Sequence, residues 1–246
     1  IYHQITELYF KLSLWEVKQI IEHENIDATF MAERLRRMNS YFNNLTKSFE
    51  IMVEGMEAEQ FLKFRLTLMP ASGFQSAQYR MLEIASTDLI NLVEKSHRPS
   101  MKEASIEEQY GFMYWRYGAT EVATGRKTLT LRRFEVKYAD TLIAWAKLHQ
   151  DNNLWLKFKS ISPEAVDYDK LESQMKEWDT NVNIRWPIVH LRSAGRYLGR
   201  QDKGIPATGG TNWQKYLAPR FQQRVFFPAL WTEDELENWG SQFKDI

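Results

Sequence analysis

The sequence predicts an all-α fold, a bundle of amphipathic helices, and three observations carry that prediction. Apolar residues recur at the i, i+3, i+4 spacing of one helix face along most of the 246 residues. The strict alternation of a half-buried strand is hard to find. Glycine and proline punctuation is concentrated in three breaks: Met69-Pro70-Ala71-Ser72-Gly73, the stretch from Gly118 to Lys127, and Gly204-Ile205-Pro206-Ala207-Thr208-Gly209-Gly210.

Taken in order, the first helix shows the stripe Ile5, Leu8, Leu12, Trp15 and Ile20, expected to face the core. The second carries Met31, Leu35, Met38, Phe42, Leu45, Phe49 and Met52 at the same period. Further helices are expected from Gln75 to Glu94, Ile106 to Trp115, Leu131 to Phe158, Leu171 to Trp178 and Pro187 to Leu198. The chain opens on Ile1-Tyr2-His3 in mid-helix, with no cap before it, so residues are expected to precede Ile1. No repeat or polar linker divides the chain, and a single domain over residues 1–246 is expected.

Composition narrows the function. Lysine plus arginine and aspartate plus glutamate both number 32, so the field that attracts nucleic acid or an anionic membrane is missing. Small ligands and protein partners are favoured. The longest apolar run, Val225 to Trp231, is broken by Pro228 and is far short of the roughly 18 residues of a membrane span, so a soluble, cytoplasmic protein is expected. The chain has no cysteine, which leaves His, carboxylate or a cofactor to hold any metal. Aromatic residues reach 14% with nine Trp, enough to build a large core or to clasp a flat ligand.

Five histidines are candidates: His3, His23, His97, His149 and His190. His23 lies in Glu22-His23-Glu24 and His149 precedes Gln150-Asp151-Asn152-Asn153, which reads as surface. Glu94-Lys95-Ser96-His97 has the spacing of a di-iron motif, but such sites need a second copy, and there is one. His3 and His190 differ because their helices are largely apolar, with Leu12 and Trp15 along one and Ala194 and Leu198 along the other. A neutral imidazole facing a core needs a partner, and iron would be one. Arg65, in Phe61-Leu62-Lys63-Phe64-Arg65, is either a solvated arginine or a bidentate clamp for a carboxylate beside an aromatic wall. Arg192 and Arg196 flank His190 and are either exposed or paired with carboxylates such as those of a cofactor.

Three segments resemble one known family. His3-Gln4-Ile5-Thr6-Glu7-Leu8-Tyr9-Phe10-Lys11 is similar to the His-Gln-x-x-Glu-Leu-Trp-Phe-Lys segment of tryptophan 2,3-dioxygenases. Phe61 to Arg65, followed by Pro70-Ala71-Ser72-Gly73-Phe74-Gln75-Ser76, resembles the family's most diagnostic stretch. His190 through Arg196, then Thr208-Gly209-Gly210, is similar to its proximal-histidine helix and Gly-Thr-Gly-Gly loop, and Phe226-Phe227-Pro228-Ala229-Leu230-Trp231 to its tail.

The resemblance implies a helical bundle enclosing a b-type haem, with His190 as axial iron ligand and His3 as the distal residue that meets the indole N–H. It implies Arg65 as the clamp for the substrate carboxylate, Thr208 as a hydroxyl near its ammonium group, and Phe61 and Ser72 on the pocket wall. Arg196 is expected to meet a haem propionate. The activity implied is insertion of both atoms of O2 across the indole C2–C3 bond of L-tryptophan to give N-formylkynurenine, in a homotetramer. A related haem-dependent hydroxylase of an indole or phenol is the alternative, and a haem carrier a third reading. The chain departs from the family at Ala207-Thr208, where Gly-Thr is usual, at Thr211-Asn212-Trp213, in place of Ser-Ser-Gly, and in a longer loop from Gly199 to Gly210.

Overall fold

The computed structural model describes residues 2–57, 59, 76–120, 124–198 and 218–241. Among them no strand forms; the only bridges are the isolated pairs Val93 with Met113 and Thr120 with Lys127. Six helices of ten residues or more organise the rest, labelled in chain order: α1 (Tyr2–Glu22), α2 (Ala28–Ser48), α3 (Ala77–Ser86), α4 (Leu129–His149), α5 (Tyr168–Thr180) and α6 (Trp186–Leu198). Five of them neighbour one another in the order α5, α2, α1, α3, α4, which puts α1 in the middle.

α2 behaves as its sequence pattern predicts. Asp27 caps it, accepting from the Phe30 amide at 2.7 Å, and so satisfies one of the free N–H groups of the first turn. Met31, Leu35, Met38, Phe42 and Leu45 are all buried, with Phe49 one turn beyond.

α1 corrects its expectation. The face that meets the core is Thr6, Phe10, Ser13, Val17, Ile20 and Ile21. Ile5, Leu8, Leu12 and Trp15 are 42%, 57%, 38% and 61% exposed and form a seam on the outer side. The helix carries two apolar stripes, and burial selects the one with Phe10.

Three expected helices are also cut shorter. The helix from Gln75 to Glu94 stops at Ser86, because Thr87 is extended and its hydroxyl donates to the Phe226 carbonyl. The Leu131 to Phe158 helix ends at His149, and Asn153 caps a separate helix, Leu154–Lys159, by accepting from the Leu156 amide at 3.0 Å. The Ile106 to Trp115 helix divides into Ile106–Gly111 and Tyr114–Gly118, with Met113 paired to Val93 between them.

Two histidines read as surface are not. His149 is buried, its ring 4.2 Å from that of Trp145, with neither ring nitrogen paired, and burial lowers its pKa. His23 is half-buried against Phe30 at 4.5 Å. Glu22, Glu24, Gln150 and Asp151 beside them are exposed, while the two rings turn inward.

Candidate functional site

The site is built on the junction of α5 and α6. Between them Asn181–Arg185 form a π turn, with the Trp186 amide donating to the Asn181 carbonyl five residues back. α5, the π turn and α6 are therefore one continuous helical rod, and the π turn sets which way α6 faces. Trp178, Trp186 and His190 all meet the aromatic edge of α2 and its extension: Phe42 lies 4.8 Å from Trp178 and 6.4 Å from Trp186, and Phe49 lies 5.4 Å from Trp186 and 4.4 Å from His190.

His190 is boxed by rings. Trp186, one turn earlier, stands edge-on to it at 4.3 Å, and Phe49 tilts over it at 4.4 Å. Its Nδ1 lies 2.8 Å from the Trp186 carbonyl oxygen. A carbonyl only accepts, so Nδ1 carries the proton and Nε2 keeps its lone pair. Burial pulls the pKa down to about 4; the Trp186 carbonyl opposes that shift and the nearby His3 imidazole adds to it. At neutral pH the ring is uncharged, held at one nitrogen and left as a base at the other. This is the state in which an imidazole ligates iron, with the partner on the opposite nitrogen fixing tautomer and ring direction.

His3 is exposed on α1, on the side that carries Phe10, and Phe10 is 6.1 Å from Trp186. Helix packing thus brings towards one another the two histidines singled out from the sequence, 187 positions apart, near enough for the His3 imidazole to lower the pKa of His190. Tyr2 closes the same end: its hydroxyl is 2.9 Å from Ser48 Oγ and its ring 5.8 Å from Phe49. Arg192 and Arg196 are exposed on α6. His97 packs on Phe112 at 4.6 Å and Tyr117 at 5.6 Å, away from this group. Phe61, Arg65, Ser72 and Thr208 lie outside the described residues.

The rings that enclose His190 were not singled out from the sequence. Trp186 could have been found, since a residue four before a candidate ligand stacks below it on a helix. Phe49 has no local signal, because only the crossing of α2 and α6 brings it there.

A fully buried polar group stands apart. Glu83, with no exposed surface, accepts from Arg80, from Tyr114 Oη at 2.6 Å and from Arg224 at 2.7 Å. Two guanidiniums share one carboxylate, and the surplus positive charge rests on ring faces. Arg80 lies 4.9 Å from Tyr79 and 4.8 Å from Trp115, and Arg224 lies 4.4 Å from Tyr114. Burial pushes the Tyr79 phenol up to about 12 and raises Tyr114 as well, so both stay protonated donors.

Comparison with known proteins converges on one family. The family model described as tryptophan 2,3-dioxygenase matches residues 1–109. A protein named tryptophan 2,3-dioxygenase from Bradyrhizobium sp. (strain ORS 278) is 25% identical over 244 residues, covering 94% of this chain and 80% of the relative. One from Bacillus thuringiensis subsp. konkukian is 26% identical over 250 residues, covering 93% and 80%. One from Ruegeria sp. (strain TM1040) is 27% identical over 242 residues, covering 94% and 81%.

Proposed function

We propose that this relative of the tryptophan 2,3-dioxygenases is itself a haem-dependent oxidoreductase that adds both atoms of O2 across the indole C2–C3 bond of L-tryptophan to give N-formylkynurenine. The observation that carries the reading is His190: a neutral imidazole in an aromatic box, with Nδ1 tied to a carbonyl and Nε2 left as a donor. That donor fits the iron of a b-type haem, and the absence of cysteine makes a thiolate-ligated haem impossible in this chain.

When bound, haem supplies the activation of O2, which the protein's own groups do not perform. The chain's residues do the rest. His190 holds the iron from one side. His3, on the neighbouring helix, meets the indole N–H and sets the ring's orientation. Arg65 pairs with the substrate carboxylate and Thr208 hydrogen-bonds near its ammonium group, so that both charged ends are fixed while the ring is held for reaction. Phe61 and Ser72 wall the pocket and exclude water, and Arg196 pairs with a propionate. In the reaction the C2–C3 bond breaks and each carbon gains one oxygen as a carbonyl. The electrons that reduce O2 come from the indole, so no outside reductant is consumed.

The chain is assigned as one catalytic domain, a reading supported by the larger of the two apolar clusters among the described residues, which runs from Phe10 to Phe227. A homotetramer is proposed on the family resemblance, and it is supported by the exposed seam Ile5, Leu8, Leu12 and Trp15, whose spacing suits a partner helix. No described helix is long and apolar enough to cross a membrane; a cytoplasmic setting is part of the same proposal.

The test is to load the protein with haem, reduce it without air, and add L-tryptophan with isotopically labelled O2. A product two oxygens heavier, with both atoms labelled, is expected. A product one oxygen heavier would move the function to a hydroxylase, and haem binding with no product to a carrier.

A further inference from the structure

The π turn between α5 and α6 has a geometric effect that the proposed chemistry depends on. An α-helix advances about 100° per residue, so over the twelve residues from Trp178 to His190 an unbroken helix would rotate the second about 120° from the first. A π turn absorbs one residue, leaving a difference of about 20°. That is why Trp178 and His190 both face α2's aromatic edge, where Phe42 and Phe49 receive them.

A π turn is less favourable than the α-helix on either side and persists only where its surroundings hold it. Here a buried amide pair does so. Asn181, with no exposed surface, donates Nδ2 to Asn39 Oδ1 of α2 at 3.1 Å. Asn39 in turn donates to both the carbonyl and the side-chain oxygen of Gln174, each at 3.0 Å, so its amide is oriented from α5. Asn181 Oδ1 accepts from Arg185 at 2.9 Å, on the last residue of the π turn. Asparagine is a poor helix former and costly to bury unpaired. Two asparagines facing each other across a helix pair at the π turn are placed where their bonds define rotation.

We infer that Asn181 and Asn39 are positioning residues: together they lock the π turn and thereby hold the His190 imidazole in the rotation that presents Nε2 to iron. The inference rests on the reading of His190 as the axial ligand. It adds that the ligand's direction is set about two and a half turns away, by the Asn181–Asn39 contact between the π turn and α2.

The experiment compares Asn181→Ala, Asn39→Ala and the double variant with the parent protein. The iron–histidine stretching band of the ferrous, haem-loaded protein is read by resonance Raman, and hydrogen exchange along residues 186–198 is read in the haem-free protein. Each single variant is expected to shift and broaden the band, and the double variant by less than the sum of the two, because the bond they share is lost only once. Exchange in α6 should be roughly tenfold faster, as loss of a buried hydrogen bond implies. An unchanged band and unchanged exchange in Asn181→Ala would overturn the inference, as would shifts that add in the double variant. If Asn181→Ala does not yield folded protein, Gln174→Ala removes one of the two bonds that orient Asn39, and the same shift is expected at smaller size; no shift there overturns the inference too. The ligand reading is checked separately with His190→Gly: a band retained in that variant would remove the ligand role, while α6 exchange in the asparagine variants would still decide the lock.

Discussion

His190 and Glu83 are both polar groups enclosed by aromatic rings, yet they are completed differently. Glu83 has both oxygens engaged, by two guanidiniums and a phenol that come from α3, the Tyr114–Gly118 helix and the tail at Arg224. His190 has one nitrogen bound and one left over. A group whose bonds are all made inside the chain supports the fold, because removing it strands its partners. A group left one bond short inside an apolar box does little for the fold and is free to bind something that arrives later. The difference separates a structural polar cluster from a site: Glu83 is fully buried and His190 partly so.

The largest effect should come from breaking the closed cluster. Glu83→Ala leaves two buried guanidiniums without their shared carboxylate and should cost on the order of 3 to 5 kcal/mol. In a thermal melt this is a midpoint lower by roughly 6 to 20 °C, or failure to accumulate folded protein. A melt within about 2 °C of the parent would show that the rings alone carry those charges.

Acid should sharpen the contrast from the other side. His190 has a folded pKa of about 4 against about 6.5 when unfolded, so between those values the unfolded chain binds the extra proton. Stability is therefore complete above about pH 6.5 and falls as pH drops toward 4, by at most about 3 kcal/mol from this group. His149, also lowered by burial, contributes in the same direction. The haem-free parent and His190→Gly should differ in acid slope within that window by the His190 share, measured by urea unfolding at pH 4.5, 5.5 and 7.

Tyr114→Phe is the milder cut in the closed cluster. It removes the hydroxyl that donates to Glu83 and accepts from Arg80 and Arg224 while leaving the ring under Arg224. About 1 to 3 kcal/mol should be lost, with haem binding unaffected.

How much of this was legible in the sequence varies by element. α2 was, because its cap and its single apolar stripe agree. α1 was legible as a helix but not in its orientation, since Ile5-Leu8-Leu12-Trp15 and Phe10-Val17-Ile20 both have helical period and only tertiary packing ranks them. His149 misled because its polar sequence neighbours lie in the turn that follows, while its own face points inward. The π turn was invisible to an i, i+4 pattern, because the one residue it absorbs leaves no mark on local spacing. At the site, residue chemistry singled out His3 and His190, and the family resemblance gave them their roles. Phe49 and Trp186, which make the box, depend on a helix crossing. In the closed cluster Arg80 and Glu83 share one helix face three residues apart, but Arg224 is reached only through the tail.

The open bond on His190 is tested most directly by haem titration of the parent protein and of His190→Gly, followed in the ferrous state by absorption and resonance Raman. The account predicts a stoichiometric complex with an iron–histidine band in the parent. In His190→Gly it predicts loss of that band, its return on adding imidazole, and a melt of the haem-free variant within about 1 kcal/mol of the parent. A His190→Gly protein that binds haem with an unchanged iron–histidine band would contradict it.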